Sequence, residues 1–257
     1  MEAKISLGQV VGDTWRLLTF QLSAERMAAF GKGHLAFGLV CTWLVGMGRY
    51  WDDPRAVFAQ KLGVGSIVYV FVLSALLWSI AIPLTRNPAW TYRHVLTYVA
   101  LVSPPAAFYA IPVEQFMPLA QASEANAWFL GVVATWRVAL LFRFYSVFAG
   151  MRWFATLVTG LLPLTVIVLS LVMLNLQHVV FDLMGGNRDP SSADGAYGVV
   201  IFLSVLSVFL GPILAMVYLW LARTARNEKW GPDPIELWLA EKARNEKVGQ
   251  DPPDPPQ

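Results

Sequence analysis

The chain has 257 residues, 56% of them hydrophobic and 14% charged, with a mean hydropathy of +0.53. Soluble domains carry nearer a quarter charged residues, so an ordinary water-surrounded globule is excluded. A net charge of +2 gives no basic surplus for a nucleic-acid partner, and the lone Cys41 excludes an intramolecular disulfide or a cysteine zinc site.

Charges gather at the ends and in short connections, leaving nearly uncharged runs of about 17–25 residues, the length of bilayer-crossing helices. A transmembrane β-barrel would need short alternating strands instead. The expected fold is therefore all-α: a polytopic integral membrane protein of about six transmembrane helices with an N-terminal interfacial amphipathic helix. It divides into an N-terminal segment (1–34), a membrane domain (35–222) and a cytoplasmic tail (223–257).

The opening residues, MEAKISLGQV, contain no apolar core of a signal peptide, so none is expected to be cleaved. Across 5–30, Leu7, Val11, Trp15, Leu18 and Leu22 recur at helical spacing, with Gln9, Asp13 and Arg16 elsewhere on the wheel. Such a stripe fits a helix lying in the membrane interface with Trp15 at headgroup depth. It equally fits a helix packed on the protein's own cytoplasmic face.

Span 1 is expected over 35–51, span 2 over 63–84 and span 3 over 95–113, the last interrupted by Ser103-Pro104-Pro105. An acidic, lysine-free loop holding Glu114 and Glu124 follows. Span 4, over 128–153, carries Arg137 near its middle and Arg143 further on, with no acidic residue beside them. Span 5, over 154–174, follows after a tight turn at Gly150-Met151-Arg152. Span 6, over 197–221, comes after the irregular GGNRDPSSADG loop. In the tail, Asp233-Pro234-Ile235-Glu236 reads as a helix start, and DPPDPPQ as a disordered end. Ala225-Arg226-Asn227-Glu228-Lys229 recurs as Ala243-Arg244-Asn245-Glu246-Lys247, a local duplication rather than a repeat array.

Lys and Arg collect on the side of the termini, which places both termini in the cytoplasm; the expected location is a bacterial cytoplasmic (inner) membrane.

The most specific backbone feature is the proline pair. Pro104 and Pro105 have no N–H, so the carbonyls four residues back, on Ala100 and Leu101, lose their helical donors. Carbonyls in hydrocarbon need other donors, and Arg137 lies at a similar depth with five N–H groups. Two readings follow. In the first, Arg137 is a structural staple on the broken helix. In the second, it is an anion site for a lipid phosphate or acidic solute beside the break. The staple is preferred because the freed carbonyls already supply its partners. Arg143, about 120° around the helix, can snorkel to the cytoplasmic end as an anchor.

Ser204, Ser207, Gly211 and Ala215 form a small-residue face on span 6, suited to close helix packing. His178 and Asp182, four apart, make only a weak metal pair, so no metal or other cofactor is expected. No catalytic motif appears, and no expected span contains Asp or Glu.

From Tyr92-Arg93-His94-Val95-Leu96 through Ser103-Pro104-Pro105 and the next two spans, the order resembles bacterial members of the Yip1-domain family. These have a polar-basic lead into a proline-bearing span, then two closely spaced hydrophobic helices. The resemblance covers about the middle 90 residues and departs in span count, since that family is described with five. It implies a non-enzymatic integral membrane scaffold or accessory protein of membrane organisation or trafficking, with membrane lipid and a protein partner or second copy as its contacts. The alternative is a small transporter, or a lipid- or anion-binding membrane protein using Arg137 beside the Pro104-Pro105 break.

Overall fold

The computed structural model describes residues 6–51, 56–173, 194–230 and Lys242. Among them every regular element is helical. The helices are α1 (Leu7–Leu18), α2 (Ala24–Ala28), α3 (Lys32–Gly48), α4 (Phe58–Lys61), α5 (Val64–Ala81), α6 (Tyr92–Leu101), α7 (Leu119–Val147), α8 (Trp153–Met173) and α9 (Asp194–Trp230). Two 3-10 segments, Pro104–Ala110 and Val113–Gln115, join α6 to α7.

Among the described residues four stretches are long and apolar enough to cross a membrane: Val64–Ala81, Glu124–Val147, Trp153–Ser170 and Phe202–Asn227. By length and composition the chain is an integral membrane protein. Only 17% to 39% of the residues in the most apolar part of each stretch are buried within the protein.

The other two expected spans take different forms. Residues expected as span 1 form α3, a helix of 17 residues. Residues expected as span 3 are not one helix. α6 stops at Leu101 after 10 residues, and the prolines open a 3-10 segment. Proline at the start of a new helical turn costs nothing, whereas within α6 each would remove a ladder bond. Span 4 ends at Val147 rather than 153, because Gly150 at φ +67° turns the chain and Trp153 opens α8. Glu124 belongs to α7, not to a loop. The tail helix, the second copy of the duplication and the His178–Asp182 pair lie outside the described residues.

α6 is the hub of the fold. Every residue from Val95 to Leu101 is buried, with α3 and α5 packed along it. Its third side is closed by rings from α7: Tyr98 stacks on Phe144 at 3.9 Å between centroids and 5° between planes, and Phe144 stacks in turn on Phe148. α3 meets its neighbours through an inside-out face: Gly38 and Thr42 face α6 and the break, Gly46 faces Gly63 and Ser66 at the start of α5, and His34 faces α1. Its buried residues are His34, Gly38, Thr42 and Gly46, one stripe at fourfold spacing, whereas Val40, Trp43 and Leu44 are exposed. Small residues let the backbones approach, and a hydroxyl pair bonds across the seam. Gly38 shows how tight the approach is: a Cβ there would lie 2.8 Å from Ala100 Cβ and 3.0 Å from the Leu101 nitrogen.

The first thirty residues do not form one helix. α1 ends in a Schellman turn, with Gln21 N–H donating to the Arg16 carbonyl and Phe20 N–H to that of Leu17. α1 docks through Val10, Asp13, Thr14, Leu17 and Leu18, and leaves Leu7, Val11 and Trp15 exposed. The apolar stripe expected to act as one face is therefore split. Leu18 and Leu22 join the core while its N-terminal half faces outward.

Candidate functional site

The break after α6 sets the geometry around Arg137. Val102 N–H still donates to Tyr98, and Ser103 N–H donates to the Ala100 carbonyl at 3.2 Å. The tighter 3-10 pairing then sends Ala106 N–H to the Ser103 carbonyl at 2.9 Å. In an α-helix that N–H would have gone to Val102. The Val102 carbonyl is left over, and Arg137 Nε donates to it at 3.2 Å. Arg137 Nη2 reaches the Ser103 carbonyl at 3.5 Å, the outer limit of a hydrogen bond. The guanidinium therefore meets Val102 and Ser103, not the expected Ala100 and Leu101. The prolines remove donors at Ala100 and Leu101; Ser103 N–H supplies Ala100 locally, and the change to 3-10 pairing opens a further carbonyl at Val102.

The same seam extends to α3. Thr42 Oγ1 lies 2.7 Å from Ser103 Oγ and donates to the Gly38 carbonyl at 2.9 Å. On the far side of the 3-10 segment, the Arg49 guanidinium carbon sits 4.9 Å from the centre of the Tyr109 ring, within range of a cation–π contact. Pro105 is buried and Pro104 half-buried. These parts form a polar belt across α3, the break and α7, with Arg137 bridging two elements.

Arg143 is separate from this belt. It is half-buried, and its Nε is shielded from solvent with no hydrogen-bond partner among the described residues. It lines a groove of about 510 Å³ between the end of α7 and the start of α8. A second groove of about 580 Å³ runs further up α7, past Trp136 to Trp128, and Phe20 borders both.

The small-residue face of α9 turns toward α8 of the same chain. Ser207 and Gly211 are buried, Ser204 and Ala215 half-buried, and a Cβ on Gly211 would lie 3.1 Å from Leu169 Cδ1. α9 continues through Pro212 as one helix.

Sequence reasoning missed one constellation. Asp13, on the supposed polar side of α1, is buried against His34 at the start of α3. Gly31 N–H donates to His34 Nδ1, so Nε2 carries the proton and donates to Asp13 Oδ2 at 3.3 Å. Arg26 Nη2 lies 3.0 Å from Asp13 Oδ1 but out of line for a hydrogen bond, so that contact is an ion pair only. His94 makes a second tether: Nε2 donates to the Ala28 carbonyl at 3.1 Å, while the Thr91 hydroxyl donates to Nδ1 at 2.7 Å. The available signal was the one acidic residue of an amphipathic helix. Among the described residues no group of three or more His, Cys, Asp or Glu is placed to hold a metal ion.

Comparison with protein-family models, curated proteins and solved structures returned no match.

Proposed function

We propose that this protein is a non-enzymatic integral membrane scaffold or accessory protein of membrane organisation, held in a bacterial cytoplasmic membrane with both termini inside. One observation carries the reading: the intramembrane arginine is spent on the backbone break, with Arg137 Nε on the Val102 carbonyl at 3.2 Å. A charge committed to its own fold is not free to cycle between solutes. Other polar groups in the helices point the same way, with Tyr145 donating to the Leu77 carbonyl and Tyr218 to that of Ile80. The proposal also draws on the order of the middle spans, which resembles that of Yip1-domain proteins.

In this reading α3 and the broken α6 unit also cross the membrane, giving six crossings, because α3 buries small and polar residues and turns Val40, Trp43 and Leu44 outward. α1 rests at the cytoplasmic interface through Leu7, Val11 and Trp15. The rival reading, a transporter or anion-binding protein at Arg137, draws on the donors that its two carbonyl partners leave unused.

Melting and native mass spectrometry of Arg137→Ala and Arg137→Lys decide between them. If Arg137 is a staple, the alanine variant strands a carbonyl in hydrocarbon, at a cost on the order of a few kcal/mol. It then melts lower whether or not an anion is present, and lysine recovers only part because it lacks the planar fork. An alanine variant that folds normally but sheds a copurifying anion supports the rival. One that is equally stable with an unchanged complement defeats both.

A further inference from the structure

The two grooves beside Phe20 share one wall. Trp128, Val132, Thr135 and Ala139 of the upper groove and Phe142 and Ser146 of the lower follow one another at three- and four-residue steps. They therefore form a single stripe along α7. The lower end is polar and basic. Arg143, half-buried, brings its guanidinium group to the groove wall, Ser146 is exposed there, and the exposed Trp153 stands opposite at the start of α8. Arg152, also exposed, precedes it, and no residue lining either groove is acidic. The upper end is apolar and widened at Gly131, where a Cβ would meet nothing within 4 Å.

Phe20 divides the two ends, and its backbone is unusual. It sits at φ +63° in the left-handed position of the Schellman turn, where glycine is the ordinary occupant. A phenylalanine there carries a steric penalty that glycine would not. Its ring borders both grooves, which gives the strained residue a use.

We propose that this trough seats one anionic phospholipid, with its phosphate on Arg143 at the cytoplasmic end of α7 and one acyl chain running past Phe20 into the groove beneath Trp136. A groove-lining arginine beside a hydroxyl and an indole suits a phosphate, because a guanidinium makes charge-assisted bonds to it. The apolar continuation along a membrane-crossing helix suits a chain and not a free anion. The inference rests on the membrane placement of α7 and α8, not on the scaffold reading.

The test uses the full-length protein in nanodiscs of phosphatidylglycerol or phosphatidylcholine, followed by native mass spectrometry of the lipid retained and by melting. The wild-type protein retains phosphatidylglycerol in preference to phosphatidylcholine. Arg143→Gln weakens that retention about tenfold, the loss expected for a hydrogen bond to a charged group. Phe20→Gly relieves the backbone, so it folds at least as stably, yet it also releases the lipid. Even if Arg143→Gln folds poorly, Phe20→Gly decides the matter. Equal retention of the two lipids, wild-type retention by either folded variant, or displacement of the lipid by millimolar inorganic phosphate would overturn the proposal. The last result would mark a soluble-anion site instead. Arg137 variants leave this retention unchanged, so the two readings fail separately.

Discussion

Gly38→Ala tests the packing of α3 on α6 most directly. The added methyl would lie 2.8 Å from Ala100 Cβ, 3.0 Å from the Ala100 carbonyl carbon and 3.0 Å from the Leu101 nitrogen. Ordinary carbon contacts lie at about 3.5–4.0 Å, and two of these three neighbours are backbone atoms that cannot rotate away. α3 must therefore back off from α6 by roughly 1 Å, the difference between those contacts and ordinary ones. Overpacking of this kind costs about 1–3 kcal/mol. The same movement stretches the 2.7 Å contact between Thr42 and Ser103, and losing that bond adds about 0.5–1.5 kcal/mol. The expected total is about 2–4 kcal/mol, a fall in melting temperature of roughly 5–15 °C for a domain of this size. Thermal unfolding in detergent, followed by tryptophan emission, measures it. Gly131→Ala is the control, because its methyl enters open space, and it should be neutral or slightly stabilising. Adding Ala100→Gly to Gly38→Ala should restore part of the loss, since it removes the methyl contact but not the backbone ones. A Gly38→Ala protein that melts with the wild type would refute the close contact and the inside-out packing of α3.

Two further outcomes follow from the same structure. Asp13→Ala leaves the buried Nε2 proton of His34 without an acceptor, and should cost about 1–3 kcal/mol in the same melting assay. Asp13→Asn keeps an acceptor and should cost less. Arg26→Ala should cost no more than about 1 kcal/mol, because its side chain is 42% exposed; the reverse order would show that the ion pair, not the histidine bond, holds α1 to α3. For topology, reporter fusions at Glu124 and Ser192 should read external and fusions before Leu35 and after Trp230 cytoplasmic. A cytoplasmic Ser192 would remove one crossing and favour five.

The membrane class was legible because it depends on composition and run length alone: an uncharged stretch of about twenty residues has few other uses. The cores of α5, α7, α8 and α9 were found on that basis, and the proline break was visible because proline lacks its N–H wherever it stands. What could not be read was which carbonyl the break would leave open. That depended on the 3-10 pairing of Ala106 with Ser103, which handed Val102 to Arg137. Periodicity likewise marked α1 as amphipathic but not which face would dock. An apolar stripe is equally content against lipid or protein, whereas Asp13 had a buried partner, His34, twenty-one residues away. The stripe Gly38, Thr42, Gly46 was open to view in the sequence as well. Only the approach of Ala100 to Gly38 and of Ser66 to Gly46 turned its small size into a contact surface, because close packing is a property of two backbones and a sequence describes one at a time.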